Sequence, residues 1–149
     1  MKPLISIGIP VKNGFKNKTE KDINLEKALY SILNQSYNNM EIIISNNCST
    51  DKTKAFLEDI SKTDKRIKVF DQTKEISGGE NFQFVLEQSK GKYFRWNAAD
   101  DFMSPNYIEE NFNFLEKNPD YVASSSKFFF ENDKKNYYSH NLNEGLYDR

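Results

Sequence analysis

The sequence predicts an α/β domain with a doubly wound, Rossmann-like and mostly parallel central sheet flanked by helices. Two observations lead to this prediction. Short apolar runs rich in β-branched or aromatic residues alternate four times with segments of helical periodicity, and most links between them are short. Most of these runs are apolar without alternation, which is typical of strands buried on both faces. With 149 residues, the chain suits one domain with its own core.

Composition and charge narrow the function classes. The 21 basic and 22 acidic side chains leave a formal net charge of −1, so no charge excess suggests a nucleic-acid partner. Cys48 is the sole cysteine, which excludes an intrachain disulfide and fits a reducing compartment. No apolar run reaches the roughly 20 residues of a membrane span, and the N-terminus does not resemble a secretory signal. We therefore expect a cytoplasmic protein without an integral membrane segment.

Five strands are predicted, and in chain order they are Leu4–Ile9, Met40–Ser45, Ile67–Phe70, Tyr93–Trp96 and Tyr121–Ser124. Pro10 is expected to end the first strand. Lys127–Phe130 is expected to extend the fifth strand or to pair with it. The domain is expected to cover residues 1–130, followed over residues 131–149 by a polar tail that is a hairpin or disordered.

Four helices are predicted between and after these strands. They cover about Asn24–Gln35, about Asp51–Ser61, a segment opened by Ser77-Gly78-Gly79 and closed by Gly91, and Ser104-Pro105 through Asn118. Ser49 or Thr50 is expected to cap the second helix. Ser104 is expected to cap the fourth, with Pro105 at its first position. Helical spacing assigns to the core Leu25, Ala28, Leu29, Ile32 and Leu33, then Ala55, Phe56 and Ile60, then Phe82, Val85 and Leu86.

The carboxyl ends of parallel strands share one edge of the sheet, so four polar loops are expected to converge there. They are residues 10–13, 45–51, 73–81 and 97–101. Open α/β sheets bind small ligands at such an edge. Asp100 and Asp101 follow the run Tyr93–Trp96, which we expect to be a central strand. Two adjacent carboxylates repel each other and so invite a divalent cation; the alternative is that the pair only caps a turn and the following helix.

No other chemistry is as well supported. The sequence has no G-x-G-x-x-G after the first strand and no G-x-x-x-x-G-K-[ST], so dinucleotide and P-loop motifs are excluded. Gly78-Gly79 is either a flexible turn or a phosphate contact. Lys12 is close enough to the sheet edge to meet a phosphate, or it belongs with Lys16 and Lys18 to a solvated loop.

Four segments of the sequence carry motifs of one family. ISIGIPVKNG is similar to a first strand and a Pro-x-aromatic-Asn turn, and LEKALYSILNQSYNNMEIIISNNCSTDKT to a helix, a second strand and an Asp-Asp-x-Ser-x-Asp turn. SGGENFQFVLEQSKGKYFRWNAADD is similar to a third helix and a strand ending in an Asp-x-Asp metal motif, and SPNYIEENFNFLEKNPDYV to the helix and strand start that follow. In this order, from about Ile5 to Val122, they resemble the nucleotide-binding half of family 2 glycosyltransferases, inverting enzymes with the GT-A fold.

The resemblance implies that ten residues bind the nucleotide, namely Pro10, Val11, Lys12, Asn13, Asn46, Asn47, Asp51, Asn81, Ala99 and Asp100. Among them, Asn46 would meet the base and Asp51 would fix the shape of its turn. The resemblance also implies that Asp100, helped by Asp101, coordinates Mg²⁺ or Mn²⁺ that bridges the two phosphates. Both cations are hard enough for carboxylate and phosphate oxygens. The metal would neutralise the departing nucleoside diphosphate.

The chain departs from the family's pattern in three places. Ala98 replaces the first acid of Asp-x-Asp, so metal affinity without nucleotide should be weak. Asn46-Asn47 replaces an acidic pair, and because an amide both donates and accepts, a preference for uracil is not supported. The acceptor-binding half and the general base are expected beyond Arg149, with the sheet truncated after about its fifth strand.

The resulting expectation is a metal-dependent glycosyltransferase, or its donor-binding portion. It would transfer a sugar with inversion from a nucleotide diphosphate sugar to a hydroxyl of a sugar or glycolipid acceptor, in the synthesis of a cell-surface polysaccharide or glycolipid. The alternative is a module that binds nucleotide sugar but lacks the acceptor half and the general base. A peripheral position at the inner face of the membrane is a further expectation. A truncated sheet with an open strand edge also suggests self-association.

Overall fold

A computed structural model describes residues 4–15 and 24–120 of the chain. Along these residues strands and helices alternate as β1 (Ile5–Val11), α1 (Leu25–Leu33), β2 (Met40–Asn46), α2 (Thr53–Thr63), β3 (Ile67–Asp71), α3 (Gly78–Glu87), β4 (Tyr93–Trp96) and α4 (Tyr107–Lys117). The predicted alternation is confirmed. Outside the described residues lie Lys16, Lys18, the predicted fifth strand Tyr121–Ser124, the segment Lys127–Phe130 and the tail 131–149.

The chain divides into two compact units, Met1–Pro105 and Asn106–Arg149. The four described strands and α1 to α3 lie in the first unit, and α4 lies in the second. No helix within residues 4–15 and 24–120 has the length and apolar composition needed to cross a membrane.

The four described strands form one sheet in the order β3-β2-β1-β4, and every neighbouring pair is parallel. This confirms the predicted α/β fold with a parallel central sheet. The chain winds outward from β1 to β3 and then crosses back to add β4 on the other side of β1. The strand order therefore reverses between β1 and β4. Within the described residues, β4 lies at the edge of the sheet rather than at its centre, where we expected it.

β1 continues through Pro10, so the expectation that this proline ends the strand is wrong. Pro10 pairs in register with Ser45 of β2. Successive residues of a strand direct their N–H and C=O groups to alternate neighbours, and the Gly8 carbonyl faces β4, where it accepts from the Asn97 N–H at 2.9 Å. Pro10 therefore faces the same side, but the β1–β4 pairing has ended at Gly8 and Trp96. No ladder hydrogen bond is lost through its missing N–H.

Burial follows the position of each strand in the sheet. β1 and β2 are buried along their whole length, whereas β3 and β4, at the two edges of the described sheet, are only partly buried. α3 packs across β1, β2 and β4, and α2 packs against β3. The buried side chains of α1 are the predicted Leu25, Ala28, Leu29 and Ile32, and Leu33 is half-buried.

Two glycines are required because other chain atoms approach them closely. A Cβ at Gly8 would lie 2.6 Å from the Phe94 ring and 2.8 Å from Val85, so glycine lets α3 and β4 pack over β1. Gly91 does not close α3 as expected, since the helix ends four residues earlier. Glycine is required at position 91 for another reason, because a Cβ there would lie 2.7 Å from the backbone nitrogen of Ser6.

The inward faces of α2 and α3 differ from the prediction. Phe56 is half-buried because its ring packs against that of Phe15, with the centroids 5.2 Å apart, and Ala55 is exposed. Phe82 is 43% exposed instead of belonging to the core. Ile60 and Val85 are buried as predicted, and Leu86 is half-buried. The buried side chains that were not predicted are Thr53 and Leu57 in α2 and Asn81 in α3.

The start of α2 also differs from the prediction. The helix begins at Thr53 rather than at Asp51, because the Asp51 carboxylate accepts a hydrogen bond from the Thr53 N–H at 2.9 Å. The expected caps Ser49 and Thr50 do not cap it, since both are bonded to Asn13 in the loop after β1.

α4 begins at Tyr107 with Asn106 at its N-cap position, so Ser104 and Pro105 precede the helix instead of opening it. Their carbonyls accept hydrogen bonds from residues that follow α1. Ser104 O accepts from Gln35 Nε2 at 2.6 Å, and Pro105 O accepts from the Ser36 N–H at 2.8 Å. These bonds hold the segment in an extended course that a helix start at Ser104 would break.

Candidate functional site

A cleft of about 330 Å³ opens at the carboxyl ends of β1 and β4. This is the point where the strand order reverses, and open α/β sheets bind their ligands there because the flanking loops diverge. The lining residues are Pro10, Val11, Lys12, Asn13, Gly14, Phe82, Ala98, Ala99 and Asp100. Six of the ten predicted nucleotide-binding residues are among them. The other four, which do not line it, are Asn46, Asn47, Asp51 and Asn81.

The loop after β1 is fastened to the loop after β2 through Asn13. Its Oδ1 accepts from the Thr50 N–H, and its own N–H donates to Ser49 Oγ, both at 2.8 Å. Next to it, the Gly14 N–H donates to Thr53 Oγ1 at 2.8 Å. Asn13 has φ 54°, a left-handed conformation that asparagine tolerates better than most residues. Asn13 thus sets the course of one wall of the cleft.

Asp51 joins the same two loops from the other side. Its Oδ2 accepts from the Phe15 N–H at 2.9 Å, while Oδ1 accepts from Thr53 N–H. Burial alone would raise the pKa of Asp51, but the hydrogen bonds from Thr53 and Phe15 outweigh it and lower the pKa. The carboxylate is therefore held ionised as part of the turn, and its role in this geometry is to shape the loop.

Asn46 and Asn47 are both buried and hydrogen-bonded within the chain. Asn46 Nδ2 donates to Asp71 Oδ1 at 2.7 Å, and its Oδ1 accepts from the Ser49 N–H at 3.3 Å. Asn47 bonds both backbone groups of Ile76, donating to the carbonyl at 2.7 Å and accepting from the N–H at 2.9 Å. Their amides tie the end of β2 to the segment that follows β3.

The side chain of Asn81 ties α3 to the end of β2. Its Oδ1 accepts from Ser45 Oγ at 2.6 Å, and its Nδ2 donates to the Ser45 carbonyl at 3.2 Å. Gln72 Nε2 also donates to Ser45 Oγ, at 3.0 Å. The sequence did not single out Gln72 or Asp71. The sequence could have indicated both residues, because they directly follow the predicted strand Ile67–Phe70 and so reach the same edge of the sheet.

Asn97 is a third residue that the sequence reasoning missed, and it builds the turn that carries the acidic pair. Its side chain is buried, and its Nδ2 donates to the carbonyls of Ala98 at 2.8 Å and Asp101 at 3.0 Å. The Asp101 N–H closes the turn onto the Ala98 carbonyl at 3.1 Å. An asparagine directly after a strand is a common turn former, which is the signal that could have identified it.

The acidic pair does not cap the following helix, because α4 begins at Tyr107. Asp100 lines the cleft, and Asp101 does not. The pKa of Asp101 is raised, first by partial burial and then by repulsion from Asp100, while Arg95 opposes the shift. A cation placed at this turn would relieve that repulsion.

The donor set at this turn suits a divalent cation that arrives with phosphates. Within residues 4–15 and 24–120, no three histidine, cysteine, aspartate or glutamate side chains gather in a way that could hold a metal alone. Mg²⁺ and similar hard cations are often held by one or two carboxylates together with phosphate oxygens and water. Asp100 and Asp101 provide such a partial set, and Ala98 supplies no third oxygen side chain.

The sequence left open the roles of Lys12 and of the pair Gly78-Gly79 at this edge of the sheet. Lys12 forms an ion pair with Glu75 at 2.5 Å, so it bridges the loops after β1 and β3. Gly78 and Gly79 are the first residues of α3, behind the N-cap Ser77, and neither lines the cleft. They are part of a regular helix rather than a flexible turn.

These features define an α/β domain with a cleft at the point where the strand order reverses and with an acidic turn at that cleft. The family follows from comparison with known proteins. Residues 6–149 match the family model described as Glycosyl transferase family 2, and the chain belongs to that family. The resemblance found in the sequence is thereby confirmed.

Individual relatives agree with this assignment. An uncharacterized glycosyltransferase of Haemophilus influenzae is 40% identical over 102 residues, covering 68% of this chain and 32% of the relative. The GalNAc(5)-diNAcBac-PP-undecaprenol beta-1,3-glucosyltransferase of Campylobacter jejuni is 33% identical over 100 residues, covering 66% of this chain and 30% of the relative. The chain thus spans about a third of the length of these curated relatives.

A solved structure shows the same fold. The mannosyltransferase PcManGT from Pyrobaculum calidifontis, in complex with GDP-Man and Mn²⁺, is similar with a TM-score of 0.64 and 17% identity. The similarity covers 77% of this chain and 33% of that chain. The predicted GT-A fold is confirmed by this likeness.

Proposed function

We propose that the cleft between β1 and β4 is the donor site of an inverting glycosyltransferase and binds a nucleotide diphosphate sugar. The observation that carries the proposal is Asp100, which lies on the wall of a cleft at the point where the strand order reverses. Membership of glycosyl transferase family 2 supports the reaction class. The bound GDP-Man in the structurally similar PcManGT supports the ligand class.

Asp100, helped by Asp101, would hold Mg²⁺ or Mn²⁺ together with the diphosphate of the donor. Asp100 is the principal ligand in this proposal because it lines the cleft, and Asp101 is secondary. When bound, the metal neutralises the charge that develops on the departing nucleoside diphosphate. Asn97 holds the turn so that the carboxylate is presented without further rearrangement.

The remaining predicted residues divide into contact and support roles. Pro10, Val11 and Ala99 offer backbone and small apolar surface to the ligand. Lys12 would exchange its ion pair with Glu75 for a phosphate. The supporting residues, whose side chains fasten the surrounding loops to one another, are Asn13, Asn46, Asn47, Asp51 and Asn81.

The acceptor and the step that attacks the sugar belong to the proposal for the whole protein. No described residue is assigned as the general base that deprotonates the acceptor hydroxyl, and the chain spans about a third of the length of the two curated relatives. The Campylobacter relative, whose name gives a PP-undecaprenol acceptor, supports a glycolipid or cell-surface polysaccharide as product. A lipid-linked acceptor would also favour a peripheral position at the inner face of the membrane.

The proposal is tested by thermal unfolding with UDP, GDP and dTDP, each with and without Mn²⁺. A ligand at 100 times its Kd stabilises the folded state by about 2.7 kcal/mol, which is readily measured as a rise in Tm. We expect at least one nucleotide to raise the Tm, and to do so more strongly with Mn²⁺. If none of the three shifts the Tm under either condition, the chain does not hold a donor site.

Transfer is a separate measurement. Incubation of the protein with a nucleotide sugar and a lipid-linked acceptor should release nucleoside diphosphate. Nucleotide binding without any turnover would instead favour the alternative, a module that binds the donor and does not transfer it.

A further inference from the structure

We propose that the ring of Phe82 is the surface on which the base of the donor nucleotide stacks. The inference rests on the proposed function, since it assumes that a nucleotide occupies the cleft. It adds a residue to the ligand contacts that neither the sequence motifs nor the acidic turn identify.

The position of Phe82 carries the argument. It lies on α3 three residues before Val85, which packs over Gly8, so its ring is one helical turn nearer the carboxyl ends of the strands. There it lines the same cleft as Asp100. Among the residues that line the cleft, it is the one aromatic side chain. Its ring is 43% exposed, although its helical spacing with Val85 assigned it to the core.

The backbone behind the ring is fixed. Trp96 Nε1 donates a hydrogen bond to the Phe82 carbonyl at 3.0 Å and so ties α3 to the end of β4. The Trp96 indole is itself held edge to face against Phe94, with ring centroids 5.0 Å apart. A ring on a rigid element loses little conformational entropy when a flat ligand packs on it.

The chemistry of the neighbouring wall favours the base over the transferred sugar. The other residues that line the cleft include the small or apolar Pro10, Val11, Ala98 and Ala99. The polar side chains of the lining are Lys12 and Asn13, which bond Glu75 and Thr50, and Asp100, which the proposed function assigns to the metal. The hydroxyl groups of a sugar packed on the ring would therefore find few hydrogen-bond partners in the lining, whereas the face of a base needs none.

The test compares ligands that carry a base with one that does not. Binding of UDP–Mn²⁺, GDP–Mn²⁺, GDP-mannose–Mn²⁺ and pyrophosphate–Mn²⁺ is measured by calorimetry for the wild type and for Phe82→Ala, Phe82→Leu and Phe82→Tyr. We expect Phe82→Ala and Phe82→Leu to weaken the bound nucleotide roughly tenfold, because stacking on an aromatic ring is lost. Phe82→Tyr should bind like the wild type, and pyrophosphate should bind equally to all four proteins.

Phe114→Ala is the matched control, since Phe114 is also 43% exposed but lies on α4 and does not line the cleft. It should leave every affinity unchanged. The unliganded Tm of each variant checks that the fold is intact, which the exposure of Phe82 leads us to expect.

Three results would overturn the inference. Nucleotide affinity in Phe82→Leu equal to that of the wild type would show that a ring is not required. An equal loss for pyrophosphate would show a general distortion of the cleft. A loss seen with nucleotide sugars but not with nucleoside diphosphates would place the ring against the sugar. If the wild type binds none of the nucleotides, the proposed function fails and this inference fails with it; wild-type binding with no effect of Phe82→Ala overturns the inference alone.

Discussion

Two carboxylates at opposite ends of the same sheet, Glu41 and Asp101, have pKa values shifted in opposite directions. At the amino end, Glu41 of β2 is buried, and its oxygens accept hydrogen bonds from Ser6 Oγ at 2.6 Å and from the Lys90 N–H at 2.7 Å. Lys68 Nζ lies 2.5 Å from its other oxygen. Burial alone would raise the pKa of Glu41, but the hydrogen bonds from Lys68, Ser6 and Lys90 outweigh it and lower the pKa. The charged form is stabilised entirely by groups of the chain.

At the carboxyl end, the pKa of Asp101 in the turn after β4 is shifted in the opposite direction. The pKa of Asp101 is raised because partial burial and the neighbouring Asp100 both disfavour its charge, and Arg95 compensates only in part. The backbone at this end is also strained, with φ 54° at Asn13 and φ 52° at Cys48. Groups whose charge the fold disfavours, and strained backbone, are features that concentrate at functional sites. The comparison shows that neighbouring groups of the chain stabilise the charged form of Glu41, whereas they do not offset the destabilisation of the charged form of Asp101.

The largest expected effect separates the two acids of the carboxyl end. Asp100→Ala should abolish the Mn²⁺-dependent part of nucleotide binding, a loss of about 100-fold, because the carboxylate that lines the cleft is removed. Asp101→Ala should retain part of it. Titration of each variant with nucleotide, with and without Mn²⁺, measures the difference. Full metal dependence in both variants would contradict the assignment of the metal to this turn.

The second effect concerns the amino end. Glu41→Gln should lower the free energy of unfolding by about 2 kcal/mol, because the charged hydrogen bonds of a buried group are weakened and an amide N–H₂ faces donors. Urea unfolding measures this change. Nucleotide affinity, measured without urea where both proteins are folded, should stay unchanged, since Glu41 lies at the other end of β2 from the cleft. A variant that lost affinity without losing stability would contradict this separation of Glu41 from the cleft.

The difference in the free energy of unfolding between the wild type and Glu41→Gln should also depend on pH, with a defined sign. The pKa of Glu41 is lower in the folded than in the unfolded state, so its contribution is fully present above the unfolded pKa and is lost as the pH falls through the folded pKa. The stability difference between wild type and Glu41→Gln should therefore be constant near neutrality and shrink below about pH 4. A difference that grows on acidification would contradict the sign.

The smallest expected effect tests the strain at the carboxyl end. Cys48 adopts φ 52°, which costs a residue with a Cβ about 1 kcal/mol and glycine almost nothing. Cys48→Gly should therefore be more stable than Cys48→Ala by about 0.5 kcal/mol, because the relieved strain exceeds the extra unfolded-state entropy of glycine; both variants lose the Sγ hydrogen bond to the Gln72 carbonyl at 3.3 Å. Cys48→Ala is the control, because it loses the same bond and keeps the Cβ, and it should lower the stability. Equal stabilities for the two variants would show that the turn stores no strain.

Much of the fold could be predicted because it depends on local patterns. The strand Tyr93–Trp96 has the predicted bounds, and the buried face of α1 follows from helical spacing. Predictions failed where a side chain had a better partner in another part of the chain. Asp51 bonds the turn instead of entering a helix, and Phe56 packs on Phe15 instead of on the sheet.

The candidate site could be predicted in part for the same reason. Asp100 and the residues after β1 were recognisable because they follow strands whose carboxyl ends share one edge. The bond between Asp71 and Asn46 was not, because it joins residues 25 apart in the sequence. The turn built by Asn97 is local, and an asparagine directly after a strand could have indicated it. The outward position of Phe82 was also not predictable from its helical spacing, because Asn81 bonds Ser45 and takes the inward position next to it.

The sequence by itself determined the alternation of strands and helices, the parallel sheet and the family. Each depends on the order of residue types along the chain, which folding does not alter. Only the tertiary structure decided that the strand order reverses between β1 and β4, and so which two of the four loops enclose the cleft. It also decided which polar side chains form hydrogen bonds between loops and which line the cleft. The physical reason is that a hydrogen bond or a cleft is a relation between distant segments, and no segment contains it alone.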